Sequence, residues 1–241
     1  MRLISTTSAH QFAHHSADWL VEKVQGNPDA VMLLPTGRSP MGLYRECVRR
    51  VRCAELALNR VSLFNLDEYW GLSRTDAHSY AAFLQAHLIV PAGIAADQVR
   101  LLRGDAPDPQ SECQAYDRSL LERGGVDVCI LGLGANGHIA FNEPGVSWSL
   151  RTHLAALSPE TRAAHAHQQG ARWLIPTHAL TVGIQTIQES RSILLLVRGA
   201  DKAAALTALR GNLADAAWPV TSLLGHSDLT VIELCEPAAH P

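Results

Sequence analysis

Short runs of apolar residues recur along the chain and are separated by longer mixed segments. Within each run the apolar residues are continuous and do not alternate with polar ones. This pattern is typical of strands that are covered on both faces, as in a parallel sheet. We therefore predict buried strands at residues 31–34, 61–66, 126–133, 193–197 and 229–234.

The segments between these strands carry apolar residues every three to four positions, which is the spacing of amphipathic helices. Strands that alternate with helices form right-handed βαβ units, and such units build a parallel sheet. We predict an α/β protein with a three-layer αβα, Rossmann-like fold, a mostly parallel central sheet and one domain over residues 1–241. The predicted helices lie at residues 10–24, 41–51, 79–88, 108–121 and 202–209.

The composition argues against several classes of protein. The chain has 241 residues, 47% of them hydrophobic, and its 20 Lys+Arg against 23 Asp+Glu give a net charge of −3. This balance argues against disorder and against a generally basic nucleic-acid surface. No apolar run approaches the roughly 20 residues of a membrane helix, and residues 1–7 lack the apolar core of a signal peptide. We expect a cytoplasmic protein that binds neither nucleic acid nor membranes.

Cysteine and histidine patterns do not indicate a metal centre. The five cysteines show no CxxC spacing, which argues against a zinc ribbon or a disulfide framework. His165 and His167 resemble a metal-binding pair, but they have no third ligand at suggestive spacing. We expect these histidines to lie on the surface or to act only indirectly.

The turn after the strand at residues 31–34 could bind an anion. Gly37 frees the backbone, Thr36 and Ser39 carry hydroxyl donors, and the next helix offers unpaired N–H groups and a favourable dipole. No GK[ST] sequence follows, so this is not a Walker loop. The alternative is a plain turn in which Ser39 caps the helix and Pro40 is its first residue.

The turn after the strand at residues 61–66 places two carboxylates side by side, Asp67 and Glu68, next to aromatic residues. A carboxylate whose pKa is raised by its surroundings can serve as a general base. The alternative is a helix start that Asp67 caps.

A third turn, at residues 131–144, contains a G-x-G-x-x-G pattern. Pro144 follows too soon for a helix of the dinucleotide-binding type, and the expected acidic residue about 20 positions later is missing. The turn instead presents His138 with Asn136 and Glu143 close by. A histidine on a loop at a strand end can exchange protons near neutral pH when a neighbour orients it.

Three motifs carry a resemblance to a known family. Asn-Leu-Asp-Glu-Tyr at residues 65–69, Gly-His-Ile-Ala-Phe-Asn-Glu-Pro at 137–144 and Ala-Leu-Thr-Val-Gly at 179–183 are specific in combination. The chain resembles glucosamine-6-phosphate deaminases, within the group that includes 6-phosphogluconolactonases and ribose-5-phosphate isomerases. The Asn-Glu-Pro ending at 142–144 favours a deaminase over a lactonase.

The resemblance implies roles for four catalytic residues. Asp67 would take the C2 proton of the opened sugar and deliver it to C1, and His138 would assist ring opening at the ring oxygen. Asn136 and Glu143 would orient and stabilise His138. The reaction would convert glucosamine 6-phosphate and water to fructose 6-phosphate and ammonia, without metal or cofactor. The resemblance places it in amino sugar metabolism and N-acetylglucosamine catabolism, and we class it with both isomerases and hydrolases.

A further set of residues would bind the substrate, chiefly its phosphate. We assign to it Thr36, Gly37, Arg38, Ser39, Glu68, Gly134, Gly137, His167, Arg172 and Lys202.

Departures from the family pattern leave alternatives open. His167 stands where deaminases usually carry a phosphate-binding Arg, and Arg38 or Arg172 could supply the missing group. A histidine there is similar to the galactosamine-6-phosphate branch, whose product would be tagatose 6-phosphate. A 6-phosphogluconolactonase-like hydrolase and a non-catalytic sugar-phosphate sensor are less favoured alternatives.

Regulation and assembly follow from the resemblance only in part. The basic stretch of allosteric members is absent at residues 151–156, so we expect no activation by an N-acetylated sugar phosphate. Residues 153–175 are a candidate lid, and either a monomer or a homo-oligomer is compatible with the family.

Overall fold

The computed structural model describes residues 1–169, 173–211 and 213–235. A seven-stranded sheet forms its centre, and every neighbouring pair of strands runs parallel. The strands are β1 (Arg2–Thr6), β2 (Val31–Leu34), β3 (Ser62–Asn65), β5 (Val99–Arg100), β6 (Val128–Gly132), β9 (Ser192–Arg198) and β10 (Leu229–Leu234), in the spatial order β1-β10-β9-β6-β2-β3-β5.

Helices cover both faces of this sheet. Met32 and Leu34 of β2 belong to one hydrophobic cluster, whereas Val31 and Leu33 belong to a second cluster on the other face. This confirms the predicted three-layer fold, because alternate residues of a strand point to opposite faces. The helices are α1 (Ala9–Gly26), α2 (Met41–Arg52), α3 (Tyr80–Leu84), α4 (Pro109–Glu122), α5 (Pro159–Gln169), α6 (Ile184–Gln188) and α7 (Ala203–Arg210), with a π-helix at Gln85–Ile89 and 3-10 turns at Ala96–Gln98, Ala200–Lys202 and Pro219–Leu223.

All five predicted strands are present, and β10 has the predicted bounds of 229–234. The sequence pattern did not reveal β1 and β5, which are the two edge strands of the sheet. Residues of β1 are mostly exposed, and β5 has two half-buried residues. Edge strands of this kind lack the continuous apolar run by which buried strands are recognised.

A second sheet of three antiparallel strands lies beside the first and was not predicted. It consists of β4 (Asp67–Tyr69), β8 (His178–Thr181) and β7 (His153–Ala156), in the order β4-β8-β7. Asp67 pairs with Thr181, so the alternative in which Asp67 caps a helix is wrong. Pairing with a strand more than 100 residues away decides the conformation here, and local pattern cannot report it.

None of the helices in the described part of the chain combines the length and the apolar character that a bilayer crossing requires.

Candidate active site

The carboxyl ends of the parallel strands open onto a cavity of about 680 Å³. The three turns singled out in the sequence meet there, although they lie far apart along the chain. Ligands of open parallel sheets bind at this edge, which makes the cavity the candidate active site. Of the predicted site residues, it is lined by Thr36, Gly37, Arg38, Ser39, Asp67, Gly134, Asn136, His138 and Lys202.

Other predicted site residues lie elsewhere. Glu68, Gly137 and Glu143 do not line the cavity, although each contacts a residue or loop that does. Arg172 lies outside the described residues. The side chain of His167 likewise lies outside what the structure describes.

The turn after β2 is built as the anion-binding hypothesis requires. Gly37 has φ of +91°, a conformation that favours glycine. Helix α2 begins at Met41 after Pro40, and no side chain caps its N-terminus. The alternative in which Ser39 caps the helix is therefore wrong. The N-terminal end of the 12-residue helix keeps its partial positive charge for a ligand.

Asp67 is the first residue of β4 and lines the cavity, and 7% of its surface is exposed to solvent. Burial, and secondarily the charge of Glu68, raises the pKa of Asp67 well above its ordinary value. The Asn65 side-chain amide donates to the Asp67 carbonyl at 2.7 Å, which holds the bend between β3 and β4. The arrangement supplies a buried, high-pKa carboxylate facing the cavity.

The neighbouring Glu68 has a structural role. Its carboxylate accepts hydrogen bonds from the backbone N–H groups of Tyr69, Tyr80 and Ala81 and from the Ser79 hydroxyl, at 2.9–3.0 Å. Three of these donors lie at the start of α3. Glu68 is thus held at that helix terminus and does not itself line the cavity, so its substrate-binding role stays a prediction.

His138 lies over Gly134, and this contact explains the glycine. A Cβ atom at Gly134 would come within 2.5 Å of the imidazole ring. Asn136 Oδ1 accepts from the His138 backbone N–H at 3.1 Å, and Asn136 Nδ2 donates to Glu143 Oε2 at 2.8 Å. Glu143 Oε2 in turn lies 3.9 Å from His138 Nδ1.

The electrostatics keep His138 neutral near pH 7. Burial lowers its pKa to about 4; Glu143 acts in the opposite direction, and the ammonium of Lys202 lowers the pKa further. A neutral imidazole has one nitrogen that accepts a proton and one that carries a proton. It can therefore shuttle a proton between two substrate oxygens.

The loop that carries His138 is anchored on two sides. The Asn142 amide donates to the carbonyls of Ile139 and Val182 at 2.9 Å, and the Phe141 N–H donates to Thr181 Oγ1 at 3.0 Å. On the other side, a Cβ atom at Gly137 would come within 2.8 Å of the Trp218 ring. Gly137 thus allows close packing of the loop.

His165 is a cavity residue that sequence reasoning missed. It lies on α5 and lines the cavity, whereas we expected a surface or indirectly acting histidine. Its Nδ1 lies 2.7 Å from the Tyr69 hydroxyl, and its ring centroid lies 6.5 Å from that of His138. No signal in the sequence marked it; in the structure Thr161, one helical turn earlier on α5, lines the cavity with it.

Lys202 brings a positive charge to the cavity from the short turn after β9. Its ammonium lies 2.8 Å from the carboxylate of Asp201, and the side chain is 17% exposed. Phosphate sites commonly combine such a cation with backbone N–H groups. The N-terminus of α2, which follows β2, offers such N–H groups to the same cavity.

Comparisons with known proteins agree with this geometry. The family model described as glucosamine-6-phosphate isomerases/6-phosphogluconolactonase matches residues 5–231. A protein of Bacillus velezensis named glucosamine-6-phosphate deaminase is 38% identical over 232 residues, covering 96% of both chains. The solved structure of a monomeric glucosamine-6-phosphate deaminase superposes with a TM-score of 0.94 at 34% identity, covering 98% of both chains.

A 6-phosphogluconolactonase from Thermotoga maritima shares the fold, with a TM-score of 0.76 at 19% identity, covering 97% of this chain and 98% of that chain. The classification as a hydrolase is corrected by these comparisons: the relatives at 32–38% identity are named deaminases, and the hydrolases among the matches are the distant lactonases. From the extent of these matches, the chain belongs to the family of glucosamine-6-phosphate isomerases and 6-phosphogluconolactonases.

Proposed function

We propose that this protein is a deaminating aldose–ketose isomerase, which converts glucosamine 6-phosphate and water to fructose 6-phosphate and ammonia. One observation carries the proposal: a buried carboxylate, Asp67, and a neutral imidazole, His138, face one cavity that also holds an anion-binding turn and Lys202. The name of the relatives at 32–38% identity supports the same activity.

Ring opening is the task of His138. Its free nitrogen takes the proton from the anomeric hydroxyl, and the imidazolium then returns a proton to the ring oxygen as the C1–O5 bond breaks. A pKa lowered to about 4 keeps the imidazole in the accepting form at neutral pH. Asn136 holds both the His138 backbone and the Glu143 carboxylate, which lies on the side of Nδ1 and stabilises the transient positive charge.

Isomerisation is the task of Asp67. The carboxylate removes the C2 proton of the opened aldehyde, and the electrons form an enolamine as the C1 oxygen takes a proton from the substrate's C2 ammonium group. Return of the proton from Asp67 to C1 gives an imine at C2. Water adds to this imine, and loss of ammonia leaves the C2 ketone. A raised pKa makes the Asp67 carboxylate a stronger base for a carbon-bound proton.

The phosphate handle would bind at the turn of Thr36–Ser39 and the N-terminus of α2, with Lys202 opposite. Binding energy at the phosphate is remote from C1 and C2, and it positions these atoms against Asp67 and His138. Arg38 lines the cavity, which supports it as a phosphate ligand in place of the Arg that position 167 lacks.

The finer assignments are also part of this proposal. The relatives' name supports the gluco substrate over its galacto epimer and over a lactone. The similar structure described as monomeric supports a monomer over a homo-oligomer.

Five free cysteines fit a reducing, cytoplasmic location. We keep the single domain over residues 1–241. We also keep the lid at 153–175, of which residues 170–172 lie outside the described part of the chain, because α5 supplies Glu160, Thr161 and His165 to the cavity wall.

The test is ammonia release by the purified protein from glucosamine 6-phosphate and, separately, from galactosamine 6-phosphate. We expect faster release from the gluco sugar, together with fructose 6-phosphate, and no release by Asp67→Asn. Preference for the galacto sugar would contradict the substrate assignment. Absence of ammonia from both sugars, with intact sugar-phosphate binding, would contradict the enzyme and favour a sensor.

A further inference from the structure

A second histidine faces the cavity, and the mechanism above does not use it. His165 lies on α5, on the same wall as Thr161, and its ring centroid is 6.5 Å from that of His138. The Thr161 hydroxyl lies 3.5 Å from His138 Nδ1. His165 is thus close enough to the reacting region to contact a bound sugar phosphate.

A chain of hydroxyl groups orients the His165 ring. The Tyr80 hydroxyl donates to the Tyr69 hydroxyl at 3.1 Å, which leaves the Tyr69 proton for His165 Nδ1, 2.7 Å away. Burial raises the pKa of both phenols, so they stay protonated and act as donors. Because Nδ1 accepts from Tyr69, the proton of the neutral imidazole is on Nε2.

Packing holds the ring in this orientation. The Phe141 ring lies 5.3 Å from that of His165, and Tyr69 meets it edge-on at 6.4 Å. Tyr80 is stacked on Phe141 at 6.1 Å, so the aromatic rings support one another. A side chain restrained in this way loses little entropy when it binds a ligand, which is the property of a pre-organised binding group.

The surroundings also keep His165 uncharged. Burial lowers its pKa to about 4; the neighbouring His138 acts in the same direction, Glu143 opposes it, and Lys202 lowers the pKa further. Lys202, His138 and His165 line the same cavity. An uncharged N–H beside Lys202 can add a hydrogen bond to an anion without placing another cation next to His138.

We propose that His165 binds the substrate's phosphate, donating its Nε2–H to a phosphate oxygen beside Lys202, and that Tyr69 positions the ring for this contact. The inference rests on the proposed function for the identity of the phosphate ester. The phosphate would then be bound by the turn at Thr36–Ser39, by Lys202 and by the neutral N–H of His165. Tyr69 and Tyr80 hold that ring in place.

Two amide substitutions distinguish the roles of the two ring nitrogens of His165. The Nε2 of glutamine lies near the position of imidazole Nε2, whereas the amide of asparagine reaches only the position of Nδ1. His165→Gln therefore keeps a donor towards the cavity, and His165→Asn removes it. The probe is inorganic phosphate at pH 8, measured by calorimetry on the full chain, and the KM for glucosamine 6-phosphate is measured in parallel.

We expect His165→Asn to weaken phosphate binding about tenfold, which is the typical loss of one hydrogen bond to a charged group. KM should rise similarly while kcat stays within about threefold, and His165→Gln should restore both constants to within about threefold. Phosphate affinity equal to that of the wild type in His165→Asn would overturn the proposal. A raised KM with unchanged phosphate affinity would also overturn it, because His165 would then contact a sugar hydroxyl.

Tyr69→Phe is the second variant, and it leaves His165 in place. The nearer donor to Nδ1 is then lost and only the Tyr80 hydroxyl, 3.3 Å away, remains. The ring and its tautomer are held less firmly, and phosphate binding should weaken about two- to fivefold. An affinity unchanged in this variant would contradict the positioning role of Tyr69. These binding experiments need no turnover, so they can succeed or fail independently of ammonia release.

Discussion

Glu143 Oε2 lies 3.9 Å from His138 Nδ1, beyond hydrogen-bond distance, and the Asn136 amide holds that same oxygen at 2.8 Å. Asn136 also accepts from the His138 backbone at 3.1 Å. One amide side chain thus sets the separation between the imidazole and its carboxylate. The distance keeps Glu143 close enough to favour the imidazolium during the reaction, while burial keeps the resting imidazole neutral.

Removal of that amide should lower the rate and leave binding intact. We expect Asn136→Ala to reduce kcat about tenfold to a hundredfold, with KM within about twofold, because small misplacements of a proton-transfer group are costly. The control Asn136→Asp keeps the acceptor for the His138 N–H but adds a negative charge nearby. In this variant, the lower pKa in the kcat profile should rise. A kcat unchanged in Asn136→Ala would contradict the positioning role.

Gly134 is required by the approach of the His138 ring. A Cβ atom at this position would come within 2.5 Å of the ring, so Gly134→Ala must displace the imidazole. We expect kcat to fall at least about tenfold. Gly26→Ala, in α1, is the matched control, because a Cβ atom there meets nothing within 4 Å. Equal kcat values in the two variants would show that the ring accommodates the methyl group.

Asp67→Asn should abolish turnover and stabilise the protein. The folded-state pKa of Asp67 is raised, so the unfolded chain loses this proton first, and the free energy of unfolding falls as pH rises above the unfolded value. Substitution removes that cost. The Tm should therefore rise by a few degrees at pH 8, where each kcal/mol corresponds to about 2–4 °C.

The corresponding measurement at pH 4 is the control, because Asp67 is protonated there in the folded state and little gain is expected. A Tm gain of the same size at pH 4 and pH 8 would mean that packing, rather than ionisation, is responsible.

Glu68→Gln should lower the stability, although burial raises the pKa of this carboxyl as well, because the substitution removes a hydrogen-bond acceptor. The amide NH₂ of glutamine cannot accept, so at least one of the N–H or hydroxyl donors around Glu68 loses its partner. We expect a loss of about 2–3 kcal/mol in the free energy of unfolding. The pKa of Asp67 should fall because the charge of Glu68 helps to raise it, and this moves the acid limb of kcat/KM to lower pH. A raised KM with unchanged stability would instead support the substrate-binding role predicted from sequence.

Acid should destabilise the protein between about pH 6.5 and pH 4. The pKa of His165 is lowered to about 4 in the folded state, so the unfolded chain takes up the proton first as pH falls. Because the ordinary pKa of histidine is near 6.5, this residue lowers the free energy of unfolding by up to about 3 kcal/mol in acid. His165→Gln, which cannot titrate, should reduce the loss of Tm between pH 7 and pH 4.5. The same pH dependence in wild type and variant would contradict the neutral state of the half-buried His165.

The sequence alone determined the central parallel sheet and the three turns that lead to the cavity. Continuous apolar runs such as 31–34 and 229–234 are local signals, and strands buried on both faces require them whatever the rest of the chain does. The same holds for glycine-rich turns at strand ends, since parallel strands place all their carboxyl ends at one edge. Asp67 and His138 were therefore recognisable as candidates from their positions in the sequence.

Only the tertiary structure decided which partners Glu68 and His165 contact. Both are single polar residues whose function depends on partners distant in sequence: Glu68 on the start of α3, and His165 on Tyr69, 96 positions away. The antiparallel sheet escaped prediction for the same reason, because β4 is stabilised by its pairing with β8 rather than by its own pattern. Burial and proximity also set the pKa values of Asp67 and His138, and neither quantity exists until the chain has folded.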